Sequence, residues 1–152
     1  MRLWRGEDSE ALRPMLRAFL QEWADRGAEL LPTENNVSYL LGQGMAWASH
    51  GCPTLVAEQD GELLAYVQWG WISLPLDLRW TTCHALGSYT KPHARHRGIA
   101  GRLRQEAKRR CLDAGIERIQ GPVHLTNTRG IDEFIQQGAW PTTVQMEVFL
   151  WV

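Results

Sequence analysis

The centre of the chain folds back on itself. Thr54 to Glu58 and Leu63 to Trp71 are apolar, β-prone runs separated by Asp60-Gly61, a dipeptide that accepts the backbone of a tight antiparallel hairpin. On the N-terminal side, a short strand around Leu3 and Trp4 runs into Asp8 and Ser9, residues suited to capping a helix. Leu12, Leu16, Phe19, Leu20 and Trp23 then recur at helical spacing until Gly27. Thr33 is placed to cap a second helix with Val37, Leu40, Leu41, Met45 and Trp47 inward, which Gly42 and Gly44 weaken by about 1 kcal/mol each relative to Ala. On the C-terminal side, Pro75 breaks the pattern before a third strand from Trp80 to Tyr89. A helical pattern from Gly98 runs through Ile99, Leu103, Ala107, Cys111 and Leu112 and stops at Gly115. A strand near Ile119, a helix from Asn127 to Gln137 closed by Gly138, and an apolar strand from Val144 to Trp151 complete the order. The order β-α-α-β-β-β-α-β-α-β is that of a mixed α/β sheet.

With 152 residues, 44% of them hydrophobic, the chain is expected to form one domain over residues 1–152. No run approaches the roughly 18 apolar residues of a membrane helix, and Arg2 and Arg5 stand where a signal peptide would carry its apolar core. A membrane-spanning or conventionally secreted protein is therefore not expected. Cys52, Cys83 and Cys111 are odd in number and widely spaced, which suits neither a disulfide scaffold nor a zinc site; a reducing, cytoplasmic compartment is expected, and no metal. The net charge of −1 hides an asymmetry: residues 91–110 carry eight Lys or Arg against the single acid Glu106. That segment is suited to an anionic ligand. Nucleic acid is disfavoured, because the remaining residues are net acidic and aromatic side chains do not interleave with the basic ones.

The segment Arg95-His96-Arg97-Gly98-Ile99-Ala100 lies between a strand and the start of the basic helix. Glycine at 98 permits close backbone approach, small Ala100 keeps the first turn open, and the free N–H groups of a helix start bind phosphate. By itself such a segment also reads as a simple strand-to-helix turn. Together with Pro92, it resembles the signature of the GNAT acetyltransferase superfamily: Arg or Gln, two residues, Gly, one residue, then Gly or Ala. A second, independent signature follows in the right order, with Asn127, Phe134 seven positions on, Gly138 and, displaced by one, Trp140.

The resemblance implies the GNAT fold with a splayed central sheet, acetyl-CoA as co-substrate, and direct acetyl transfer to a primary amine of a small molecule or peptide. It further implies that Tyr89 and Thr90 line the splayed edge that receives the pantetheine arm. The loop amides of Arg97, Gly98, Ile99 and Ala100 would hold the pyrophosphate. Lys91, His93, Arg95, Arg97 and Arg102 would meet the ribose phosphate, and His96 belongs to the same cofactor-binding loop, whereas Arg104, Lys108, Arg109 and Arg110 read as a solvated helix face. Asn127 has two readings, an N-cap of the last helix and a contact to the CoA arm.

An alkyl amine with a pKa near 10.4 is only about 0.04% neutral at pH 7, so transfer calls for a base or a water relay. His84, on the strand before the loop, stands about where the family places its base, and an imidazole suits that role; the other reading is a hydrogen-bonded core histidine. Cys83 beside it is expected on the opposite side of the sheet. The family's usual acid is a tyrosine at the position held here by Phe134, which has no proton to give. Tyr89, a bound water, or departure of the unassisted thiolate fills the gap. Asp25, Glu29, Glu34 and Asp77, with Trp23, Trp47, Trp71 and Trp80, lie where the fold builds its acceptor pocket; acids attract an ammonium and aromatic faces stack on it. The alternative to an enzyme is a catalytically degenerate acyl-CoA-binding module that senses cofactor or contacts a partner. The short stretch after Gly138 suggests a sheet edge completed by a second copy, a possible homodimer.

Overall fold

A computed structural model of the chain describes residues 1–27, 30–71, 81–136 and 138–142. The chain divides into two compact units, Met1–Pro122 and Val123–Val152. The first holds β1 (Arg2–Leu3), α1 (Ser9–Ala24), α2 (Glu34–Ser49), β2 (Leu55–Gln59), β3 (Glu62–Trp71), β4 (Thr82–Thr90), α3 (Ile99–Asp113) and β5 (Arg118–Gln120). Its strands form one sheet in the order β1-β2-β3-β4-β5, antiparallel except for the parallel pair β4–β5. The expected hairpin is β2–β3, turned by Asp60 and Gly61 at φ +52° and +80°.

One face of the sheet packs against α1 and α2. The helical spacing buries Leu12, Met15, Leu16, Phe19 and Leu20 of α1 and Val37, Leu40, Leu41 and Ala48 of α2 against Trp4, Val56, Leu63, Tyr66 and Tyr89. Each such side chain contributes about 1.5–3 kcal/mol. Two β3 residues fix which face this is. Gln68 Nε2 donates to the Leu40 carbonyl at 2.9 Å, and a Cβ on Gly70 would lie 2.1 Å from the Trp47 indole. The other face packs against α3 through Ile99, Leu103, Ala107 and Cys111, and the Cys83 thiol on β4 is hydrogen-bonded to Cys111.

Thr33 caps α2 as expected, its Oγ1 accepting from the Asn36 amide at 3.3 Å. Asp8 does not cap α1. Its buried carboxylate instead accepts both terminal nitrogens of Arg2, at 2.7 and 2.8 Å, and the Arg5 amide at 2.7 Å; the guanidinium holds the carboxyl below its usual range. Of the two α2 glycines, Gly44 is required, since a Cβ there would sit 2.2 Å from the Trp4 ring, whereas Gly42 meets nothing within 4 Å.

The second unit contains α4 (Thr128–Ile135), capped by Asn127, whose Oδ1 accepts from the Gly130 amide at 3.1 Å. Gly138 follows the helix at φ +83°. The expected strand from Val144 to Trp151 and the break at Pro75 lie outside the described residues. Among the described residues, no helix is long and apolar enough to cross a membrane.

Candidate active site

β4 carries the site because it is bonded fully on one side and only partly on the other. Toward β3 it is paired throughout, with one interruption: Gln68 faces Gly87 and Trp69 faces Ala85, so Leu86 is an extra residue that bulges out of the ladder. Toward β5 the pairing covers only Thr82, Cys83 and His84. Gly121 still lies against β4, since a Cβ there would sit 2.4 Å from the Ala85 carbonyl. Beyond that point, from Leu86 to Thr90, no described strand of this unit pairs with β4 on its β5 side. Tyr89 and Thr90 end this stretch.

The chain leaves β4 through a 3-10 turn at Pro92–Ala94 and enters α3 through Gly98, at φ +72°. His96 is also left-handed, at φ +61°. The first bond of α3 runs from the Arg102 amide to the Gly98 carbonyl at 3.1 Å, so the amides of Ile99, Ala100 and Gly101 have no partner within the helix. His96, Arg97 and Gly98 are exposed beside them, and Ile99 turns its side chain into the core.

The structure sorts the cations of residues 91–110. Lys91 Nζ is 2.7 Å from Glu62, with His93 3.6 Å from the same carboxylate. Arg109 and Arg110 hold Glu106, pulling its pKa down to about 2. Arg95, expected near the ribose phosphate, already has partners in the chain: its Nε donates to the Thr90 carbonyl at 3.0 Å, its Nη2 to Glu22 of α1, and its Cζ lies 5.5 Å from the Tyr89 ring centroid. Arg102 Nη1 is 3.3 Å from where a Gly98 Cβ would be, and Arg97 is exposed in the loop.

His84 pairs across the sheet with Gly70 and with Gln120. It therefore shares the face of Gly70, toward α2 and Trp47. Its Nε2 is hydrogen-bonded to the Gln120 carboxamide. Burial, and then the charge of Arg118, lower its pKa below 6.5 and favour the neutral ring. Cys83 is on the other face, as expected.

The sequence profile of the acetyltransferase (GNAT) family matches residues 12–138. The chain belongs to the GNAT acetyltransferase family. Solved structures agree on the GNAT fold. A GCN5-related N-acetyltransferase from Ralstonia eutropha is 21% identical, with a TM-score of 0.70 over 94% of this chain and 93% of its own. The aminoglycoside acetyltransferase AAC(6')-Iy, in complex with a bisubstrate analog of CoA and acetylneamine, is 15% identical, with a TM-score of 0.70 over 99% and 97%. A ribosomal-protein-alanine N-acetyltransferase from Brucella melitensis is 16% identical, with a TM-score of 0.64 over 99% and 97%. No curated protein matches the chain significantly.

The groups expected at an acceptor pocket divide. Trp47 lies over Gly70, and Trp23 packs on Phe19 at 4.9 Å between ring centroids. Trp71 does not join them, because strand alternation sends it with its cross-strand partner Cys83 to the α3 face. Glu34 is not a free acid either, since Arg13 and Arg17 both engage it, and Asp25 accepts from Gln21 at 2.7 Å. Glu29, Asp77 and Trp80 lie outside the described residues. Two participants were missed in the sequence: Gln120 as partner of His84, and Glu22 as partner of Arg95. Nothing in local spacing signals them, since Glu22 and Arg95 meet across 73 positions.

Proposed function

We propose that this GNAT protein is an acetyl-CoA-dependent N-acetyltransferase that passes the acetyl group directly to a primary amine. The reading rests above all on the stretch of β4 from Leu86 to Thr90, which no described strand pairs on its β5 side, running into a helix start whose amides at Ile99, Ala100 and Gly101 have no partner within the helix. That stretch offers hydrogen bonds to the two amides of a pantetheine arm, and the helix start with Arg97 and Arg102 offers donors and positive charge to a pyrophosphate. His96, Gly98 and Ile99 shape that loop, while Arg95 braces it. Asn127 serves here as the cap of α4.

In this mechanism the amine nitrogen attacks the thioester carbonyl and the C–S bond breaks. The amine proton passes to His84, directly or through water, and the thiolate leaves either as the anion or with a proton from water or Tyr89. His84 is suited to accept the proton because its lowered pKa keeps it neutral at neutral pH. The structure of AAC(6')-Iy with a CoA–acetylneamine analog makes a polyamine-like antibiotic one acceptor class to test; peptide N-termini are another. A cytoplasmic location and a homodimer belong to the same proposal.

One observation favours a second reading. His84 Nε2 is already hydrogen-bonded to Gln120, and Phe134 carries no hydroxyl. A catalytically degenerate acyl-CoA-binding module would look the same. The deciding experiment is titration calorimetry with acetyl-CoA together with CoA release over a panel of amines. Binding with amine-dependent CoA release supports the transferase; binding without release from any amine supports the module; no binding overturns both.

A further inference from the structure

Arg95 begins the glycine-containing loop, yet its guanidinium is committed on three sides. It bonds the carbonyl of Thr90 at the end of β4, stands over the ring of Tyr89, and pairs with Glu22 on α1. Its amide is used as well, donating to the Pro92 carbonyl at 3.2 Å. Both side chains of the ion pair are about one-third exposed, Arg95 at 34% and Glu22 at 35%, so the contact sits at the rim of the site and not in the core. Glu22 lies between Phe19, which packs on Gly87 at the bulge, and Arg26, 3.9 Å from its other oxygen. A single carboxylate on α1 thus holds the last carbonyl of β4 and the start of the loop to the helix that walls the opposite side.

We infer that Glu22 is a positioning residue for cofactor binding: acting through Arg95, it sets the geometry of the Thr90 edge and of the loop that follows, and Arg95 is a brace and not a phosphate ligand. The inference rests on the proposed acetyl-CoA site. A positioned loop presents its amides without having to be ordered on binding, and that ordering is what a loosened loop would have to supply.

The two accounts of Arg95 predict opposite signs for one substitution. If Arg95 is a brace, Glu22→Gln removes its anchor and weakens acetyl-CoA binding by about three- to tenfold, the range set by an exposed ion pair and by a charged hydrogen bond. The KM for acetyl-CoA should rise by the same factor while kcat at saturating cofactor stays within about twofold. Arg95→Lys should act in the same direction, and the double variant should be no weaker than the weaker single one, because both break the same contact. If Arg95 is a phosphate ligand held back by Glu22, then Glu22→Gln frees it. Affinity is then unchanged or tighter, and Arg95→Lys costs affinity whether or not Glu22 is present; either result overturns the inference. Melting temperatures accompany each titration, and a uniform loss of kcat with unchanged KM also overturns it. Should the wild-type protein itself fail to bind acetyl-CoA, the proposed function falls, independently of Glu22.

Discussion

His84 and Tyr89 are five residues apart on β4 and both project to the face covered by α1 and α2. Strict alternation along a strand would send them to opposite faces. The extra residue Leu86 resets the alternation: His84 stands opposite Gly70, under Trp47, and Tyr89 stands opposite Tyr66, with ring centroids 6.3 Å apart, in the core that includes Phe19. The proposed base and one candidate acid are thereby on one side of the sheet.

If His84 is the base, His84→Ala lowers kcat by about 10²- to 10⁴-fold and leaves acetyl-CoA affinity nearly unchanged. The ascending limb of the wild-type pH profile should lie below 6.5, because burial and Arg118 lower the pKa. Linkage gives a second readout. With the folded pKa below the unfolded one, the unfolded chain binds the proton more readily, so stability falls as pH drops through 6.5 and levels off below the folded value. Urea titrations from pH 8 to 5 should show a smaller decline in His84→Gln; an identical decline would remove His84 from both arguments.

Gly98→Asp should abolish acetyl-CoA binding. The position is left-handed at φ +72°, the new side chain would start 3.3 Å from Arg102, and its charge would repel a pyrophosphate and draw Arg102 away. The cations give a graded comparison in the same calorimeter. Arg97→Ala or Arg102→Ala should each weaken binding by about tenfold, as expected for loss of a charge-assisted hydrogen bond. Lys91→Ala, whose ammonium already faces Glu62, should weaken it less. A larger effect at Lys91 than at Arg102 would contradict the assignment.

Gly44→Ala tests the fold and not the chemistry. The added methyl would enter a buried position 2.2 Å from the Trp4 ring, where a rigid indole must move, so despite the better helix propensity of Ala the substitution should destabilise by about 1–3 kcal/mol. Gly42→Ala, with nothing within 4 Å, should stabilise by about 0.5–1 kcal/mol. Chemical denaturation of the pair measures both signs.

Phe134 occupies the position where the family usually has its tyrosine acid. If the thiolate leaves without a positioned donor, Phe134→Tyr keeps kcat within a few-fold at saturating acceptor. A rate gain of about tenfold or more in a stably folded variant would show that acid assistance was lacking.

Helical spacing in 12–23 and 99–112, the Asp60-Gly61 turn and the Gly98 loop were legible in the chain because each is a local property: periodicity, a permitted left-handed backbone, or free amides at a helix start. They sufficed for the order of the described elements and for the family. What the tertiary structure alone decided depends on contacts between distant positions. Pairing with β3 placed the bulge at Leu86, and the bulge put His84 and Tyr89 on one face. The approach of α1 to the loop paired Arg95 with Glu22, and two arginines on α1 paired with Glu34, which read in the chain as an acid available to an ammonium. A charge in a sequence has no partner until the fold brings one, so the basic segment read in the chain as suited to an anion, and only packing showed which of its cations are paired with acids of the same chain.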